Sequence, residues 1–400
     1  MAIVDRADRA RVLGAIAGIA AELEAGPRAY SLSPGHDLAL ADGEAGIALF
    51  LSELPAYQEA AARRIDRAIN GLETRGLDAS LHFGFTGIAW AWQRVMTRLG
   101  EACDDSLAVV DDAVLELLGS SRGRRLPPGV LFGLAGLAIY ALDRATPVAD
   151  RCLAEIVELL HASAQPDGDG LRWWLAPPAG TAYVERFPDG FYDLGLDVGA
   201  AGVAVAAAGV AARGIARDRA RSLAAGAMRW IRAQHTVAGL PSKLGVDGSS
   251  VAAFGWCKGE LGIALALLAT GEPDDREAAL AIGHRAARVD PARCDEPGIH
   301  LGAAGALHAF NRLYTATSHP AFRDAARRWL DRLLALRRPG GIAGFRLATG
   351  EPRLGLVQGA AGIGLALLSA IHPELSAWDH AIGGPSRASA PATSRAARRP

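Results

Sequence analysis

Hydrophobic positions along this chain fall into two kinds of segment. One kind is apolar on every side and opens on Gly-x-x-Gly: "GEAGIALFL" from Gly43, "GFTGIAWAW" from Gly84, "GLAGLAIYAL" from Gly133 and "GAAGVAVAAA" from Gly199. The same pattern returns as "GELGIALALL" from Gly259, "GAAGALHAF" from Gly302 and "GAAGIGLALL" from Gly359. The other kind carries charge along one face, as in "AARRIDRAINGLETRG" and "AFRDAARRWLDRLLALRR". Both read as helices; the first should be buried and the second should face water. Seven copies whose first glycines lie 41 to 66 residues apart leave room for one outer helix in each interval. The expected fold class is all-α: an (α/α)7 toroid, a double-layered α-barrel with seven inner helices that start at Gly-x-x-Gly. Glycine there lets loop backbone approach the helix start closely and accepts φ above zero.

Chain ends and composition narrow the reading further. "VLGAIAGIAAELEAG" near the N-terminus is short and runs into Glu22 and Glu24, which suits an amphipathic helix and not a signal or a membrane span. The toroid domain is expected over 1–382, and the Gly/Pro/Ser/Ala-rich basic tail 383–400 is expected to be disordered. Lys and Arg number 42 against 43 Asp and Glu, so no global field draws the chain to nucleic acid. Four scattered cysteines, Cys103, Cys152, Cys257 and Cys294, form no C-x-x-C pair. Free thiols of that kind suit a reducing compartment, and the expected location is the cytoplasm. An α/α-barrel glycosidase would need paired central carboxylates, whereas the inner motifs hold only Glu44, Asp197 and Glu260.

The seven Gly-x-x-Gly helices, together with "FYDLGLDVGAAG", "WCKGELG" and "IHLGAAGALHAFNRLY", resemble the lanthionine synthetase C-like (LanC-like) cyclases from about Asp37 to Leu368. The resemblance implies a toroid that acts on a precursor peptide, adding a cysteine thiol to dehydroalanine or dehydrobutyrine to close a thioether ring. It also implies a central zinc ion held by the cysteine of Trp-Cys-x-Gly and by a Cys-His pair before the sixth Gly-x-x-Gly. Zinc would lower the thiol pKa and present a thiolate. Here Trp256, Cys257 and Gly259 match the first motif, but His300 and Leu301 stand where Cys-His is expected. Cys257 and His300 are thus candidate zinc ligands, with a third missing at Leu301. The family's active-site His falls on Val198, an expected Asp on Gly129 and an expected Arg on Ala253. Some LanC-like domains fused to kinase and lyase domains also lack the zinc ligands, so the departure leaves two readings: a cyclase with a degenerate zinc site, or a non-catalytic peptide holder serving a kinase/lyase or dehydratase.

The remaining polar residues near the expected centre carry alternatives. Asp197 serves as a base or caps its turn. His300 moves protons, binds metal or hydrogen-bonds in its loop. Lys258 contacts peptide or pairs with Glu260 in solvent. Trp256 and His82 are candidate substrate contacts, and Cys257 either faces the toroid centre or packs as a buried thiol. The long segment "WWLAPPAGTAYVERFPDGFYDLG", Trp173 to Gly195, is a candidate cover over the centre.

Overall fold

In the computed structural model the described residues are 3–26, 36–72, 74–101, 106–347, 350 and 353–384. Every Gly-x-x-Gly starts a buried helix: α2 (Glu44–Ser52), α4 (Phe85–Leu99), α6 (Leu134–Arg144), α9 (Ala200–Arg213), α11 (Glu260–Thr270), α13 (Ala303–Thr317) and α15 (Ala360–Ile371). The charged-faced segments form α1 (Arg6–Ala25), α3 (Gln58–Leu72), α5 (Ala108–Gly119), α7 (Pro147–Ser163), α10 (Arg217–Ala233), α12 (Pro273–Ala286) and α14 (Pro320–Ala335). Each inner helix packs on the next, and α15 packs back on α2, so the inner layer closes into a ring. The outer layer is completed by the N-terminal α1, which packs on α15. No helix among the described residues is long and apolar enough to cross a membrane.

The second glycine of each motif has a steric reason. A Cβ at Gly87 would lie 1.7 Å from the Leu81 carbonyl oxygen, and at Gly262 it would lie 2.0 Å from that of Trp256. In the other five copies the carbonyl six residues upstream comes within 1.9–2.3 Å of the same position. The glycines therefore press each connecting loop against its own helix start.

Two features lie outside the helical pattern. The hairpin β1 (Gln165–Asp167) and β2 (Gly170–Arg172) precedes a four-stranded antiparallel sheet ordered β3 (Trp174–Leu175), β4 (Phe191–Asp193), β5 (Lys243–Gly245) and β6 (Ser250–Val251). The expected cover segment thus supplies β3, the one-turn helix α8 (Tyr183–Arg186) and β4. Then Pro373–Ile382 forms a 3-10 segment that packs on α15 and α6. Its Asp379 meets His308 and Arg312 of α13, each at 3.0 Å, and its His380 meets Asp143 of α6 at 3.3 Å. Of the tail expected from Gly383 onward, Gly383 packs near Leu196 and Gly384 beside Asp379. Residues 385–400 lie outside the described residues, as does Cys103, whereas Cys152 is buried in α7 as packing.

Candidate active site

Lateral hydrogen bonds lace the seven loops into a second, smaller ring. Two residues before each first glycine stand Ala41, His82, Leu131, Asp197, Cys257, His300 and Val357. The amide of Ala41 donates to the His82 carbonyl at 2.9 Å, His82 to Leu131 at 3.4 Å and Leu131 to Asp197 at 2.8 Å. Asp197 donates to Cys257 at 3.4 Å, Cys257 to His300 at 3.2 Å, His300 to Val357 at 3.1 Å, and Val357 back to Ala41 at 3.1 Å. Every ring amide and carbonyl is used, which a buried backbone requires. Asp197, Cys257 and His300 are therefore consecutive around the toroid axis, although 60 and 43 residues separate the fourth, fifth and sixth first glycines (Gly199, Gly259 and Gly302) along the chain.

One residue further on, Asp42, Phe83, Phe132, Val198, Lys258, Leu301 and Gln358 form the rim. Phe132 and Leu301 are exposed, at 47% and 39%, which marks the face that meets solvent. Phe83 and Phe132 stack with centroids 5.2 Å apart, and His36 lies 4.8 Å from Phe83.

The polar heart of the site joins four charged groups. Asp193 and Lys243 are register partners across β4 and β5, and Lys243 Nζ donates to Asp193 Oδ2. Lys258 Nζ lies 2.6 Å from Asp197 Oδ2 and 3.5 Å from Asp193 Oδ2. Asp193 Oδ1 accepts from the Gly195 amide at 2.7 Å, and Asp197 Oδ1 from the Val198 amide at 2.9 Å. Burial works to raise the Asp193 carboxyl, but Lys258 and Lys243 outweigh it and hold it below the usual carboxylate range. Burial pulls the Lys243 ammonium down despite Asp193. It pulls on Lys258 too, but there Asp193 and Asp197 prevail and bind its proton more tightly than usual.

Neighbouring groups respond to the same environment. Burial pushes the Cys257 thiol well up, with Asp197 adding to the effect. Burial lowers His300, so its imidazole is neutral at pH 7, and its buried Nδ1 has no hydrogen-bond partner among the described residues. His82 Nε2 lies 2.7 Å from the Ala381 carbonyl, and Trp256 Nε1 donates to Ile382 at 2.9 Å.

Several sequence expectations change here. Lys258 does not pair with Glu260, because the helix start separates them: Glu260 binds Arg285 and the Leu240 amide, and Lys258 turns to Asp197. His82 and Trp256 are fully buried and hydrogen-bonded to the C-terminal segment. Asp193 and Lys243 lie in strands of three residues with no motif of their own, so the sequence pattern does not single them out; Asp193 stands inside the quoted "FYDLGLDVGAAG".

A family zinc ion is implied at this ring, so its donors can be tested. Leu301 offers no ligand and faces solvent. The carboxylate of Asp197 is already paired with the Lys258 ammonium at 2.6 Å. Among the described residues no group of three or more His, Cys, Asp or Glu side chains is placed to hold a metal ion. The donor set does not fit zinc.

A closed double layer of helices with its polar groups gathered at glycine-pressed loops defines an α/α toroid with a central site. Residues 35–382 match the family described as lanthionine synthetase C-like protein, and the chain belongs to that family. The solved structure of nisin cyclase is similar to it, at 20% identity over 94% of this chain and 98% of that one, with a TM-score of 0.74, a likeness of fold. A cellobiose 2-epimerase from Spirochaeta thermophila DSM 6192 matches at 13% identity over 92% and 98% of the two chains, with a TM-score of 0.48. No curated protein matches the sequence significantly.

Proposed function

We propose that this protein closes thioether rings in a precursor peptide by adding a cysteine thiol to dehydroalanine or dehydrobutyrine, without a metal ion at its centre. The observation that carries the reading is the laced ring, which sets Asp197, Cys257 and His300 side by side in a LanC-like toroid. Burial lowers His300 and leaves its imidazole neutral at pH 7, the state a base needs to take the substrate thiol's proton. Asp197 is occupied by Lys258 and its own loop amide, so its part is to hold the lysine and not to take that proton. The thiolate adds to the β-carbon, and the proton returns from His300 to the α-carbon; atoms balance without a co-reactant.

The incomplete zinc set favours a second reading, a holder that presents the peptide to a kinase/lyase or dehydratase. One experiment separates the two. Incubation with dehydrated precursor is expected to reduce the alkylatable thiols at constant peptide mass, and His300→Ala to slow this by about 10²-fold with peptide binding kept. A holder gives closure only at the spontaneous rate, unaffected by His300→Ala.

A further inference from the structure

We propose that Lys258 is a catalytic residue of this centre: its ammonium donates to the carbonyl oxygen of the dehydrated residue and stabilises the enolate formed as sulfur adds. The inference rests on the cyclase reading and supplies what that reading lacks, a positive charge at the acceptor.

Four observations support Lys258 in particular. It stands one residue beyond Cys257 on the rim, between Val198 and Leu301, and so flanks the His300 loop on the solvent face. Its backbone is fixed: Gly259 has φ +97°, and a Cβ there would lie 1.9 Å from the Ala253 carbonyl oxygen. Within the four-charge cluster Asp193, Asp197 and Lys243 are sealed, and only the Lys258 side chain, 13% exposed, reaches the open side. Finally, two carboxylates orient it. Asp197 at 2.6 Å and Asp193 at 3.5 Å hold its ammonium.

Lys243 does not compete for the role. Its Nζ lies 5.3 Å from the ring centroids of both Tyr183 and Phe191, and it is closed off behind Asp193. Its contribution is to offset the charge of Asp193, which leaves Lys258 facing the two carboxylates with one of them already paired.

In the step itself the substrate thiol gives its proton to His300, and the sulfur–carbon bond forms as the carbon–carbon π pair shifts toward the carbonyl carbon and the carbonyl π pair moves onto the acceptor oxygen. Lys258 binds that oxyanion while keeping its proton. The enolate then takes the proton from His300 at the α-carbon, and the carbonyl is restored. Preorganised donors aimed at a developing oxyanion are usually the largest electrostatic term in such reactions.

The test uses the full chain and a synthetic peptide with one dehydroalanine and one cysteine. Lys258→Met is expected to lower kcat about 10²-fold, the loss of one oxyanion donor, with KM little changed. Ethylammonium added to Lys258→Ala should restore part of the rate, and sodium chloride at equal ionic strength should not; a merely structural lysine would show no such rescue. Should Lys258→Met fail to melt cooperatively, Lys258→Gln keeps a donor for Asp197 without charge and is expected to lose the same factor. Wild-type kcat in a folded, uncharged variant, or a rise in KM alone, overturns the role of Lys258 while leaving the cyclase reading intact. A wild-type protein that does not accelerate closure overturns the cyclase reading first, and this inference with it.

Discussion

Burial at the ring of loops changes how His82 titrates. Its pKa falls to about 4 because burial outweighs the bond to the Ala381 carbonyl, whereas an unfolded histidine titrates near 6.5. Between those values the unfolded chain binds the extra proton. The folded state therefore loses stability as pH falls from about 6.5 toward 4, by up to about 1.4 kcal/mol per pH unit for one such group. His82→Gln keeps an N–H for Ala381 but cannot titrate, so its urea midpoints should vary less with pH across that window than those of the wild type. Equal slopes would assign the acid sensitivity to other groups. Asp193 makes a second residue-scale case. Asp193→Ala leaves Lys243 and Lys258 with only Asp197 between them, and stranding a buried charge costs about 3–5 kcal/mol. Urea denaturation should show a loss of that order; a loss under about 1 kcal/mol would mean that water reaches the lysines.

Among the elements, the inner helices were legible because each announces itself twice, by glycine spacing and by an apolar run. The steric test of that reading is Gly262→Ala in α11. Its new Cβ would displace the Trp256 carbonyl, and overpacking of this kind costs about 1–3 kcal/mol. Gly14→Ala in α1, where nothing lies within 4 Å, should instead be neutral or stabilise by up to about 1 kcal/mol. Thermal melts of the pair would expose an error if both shifted alike. The small sheet was not legible, because strands of two or three residues are too short to show a period. Its consequence for the site is large: β4 and β5 bring Asp193 beside Lys243 from 50 residues away. Likewise Lys258 and Glu260 look paired in sequence, but a helix start lies between them and lateral neighbours take both. His82, Asp197, Cys257 and His300 share a register before their glycines that the sequence does show; which of them meet is decided between repeats, where no local pattern reports it.

At the scale of the whole molecule, closure limits how far the centre can rearrange. Val357 joins the last loop to Ala41 in the first, α1 packs on α15, and the C-terminal segment ties α6, α13 and α15 together. Moving one loop to bring a third ligand toward Cys257 and His300 would break two lateral hydrogen bonds and uncover backbone that has no other partner. Zinc would also have to take the Cys257 proton against burial and a nearby carboxylate, beside the charge of Lys258. Protein purified without chelator is accordingly expected to carry well under one zinc per chain by elemental analysis. Added zinc should leave the melting temperature nearly unchanged, since a ligand that binds only the folded state raises it by an amount that grows with the logarithm of its affinity. Should a full equivalent be found, and vanish in Cys257→Ala, the loops must reorganise around the ion, and the metal-free centre proposed here would be wrong.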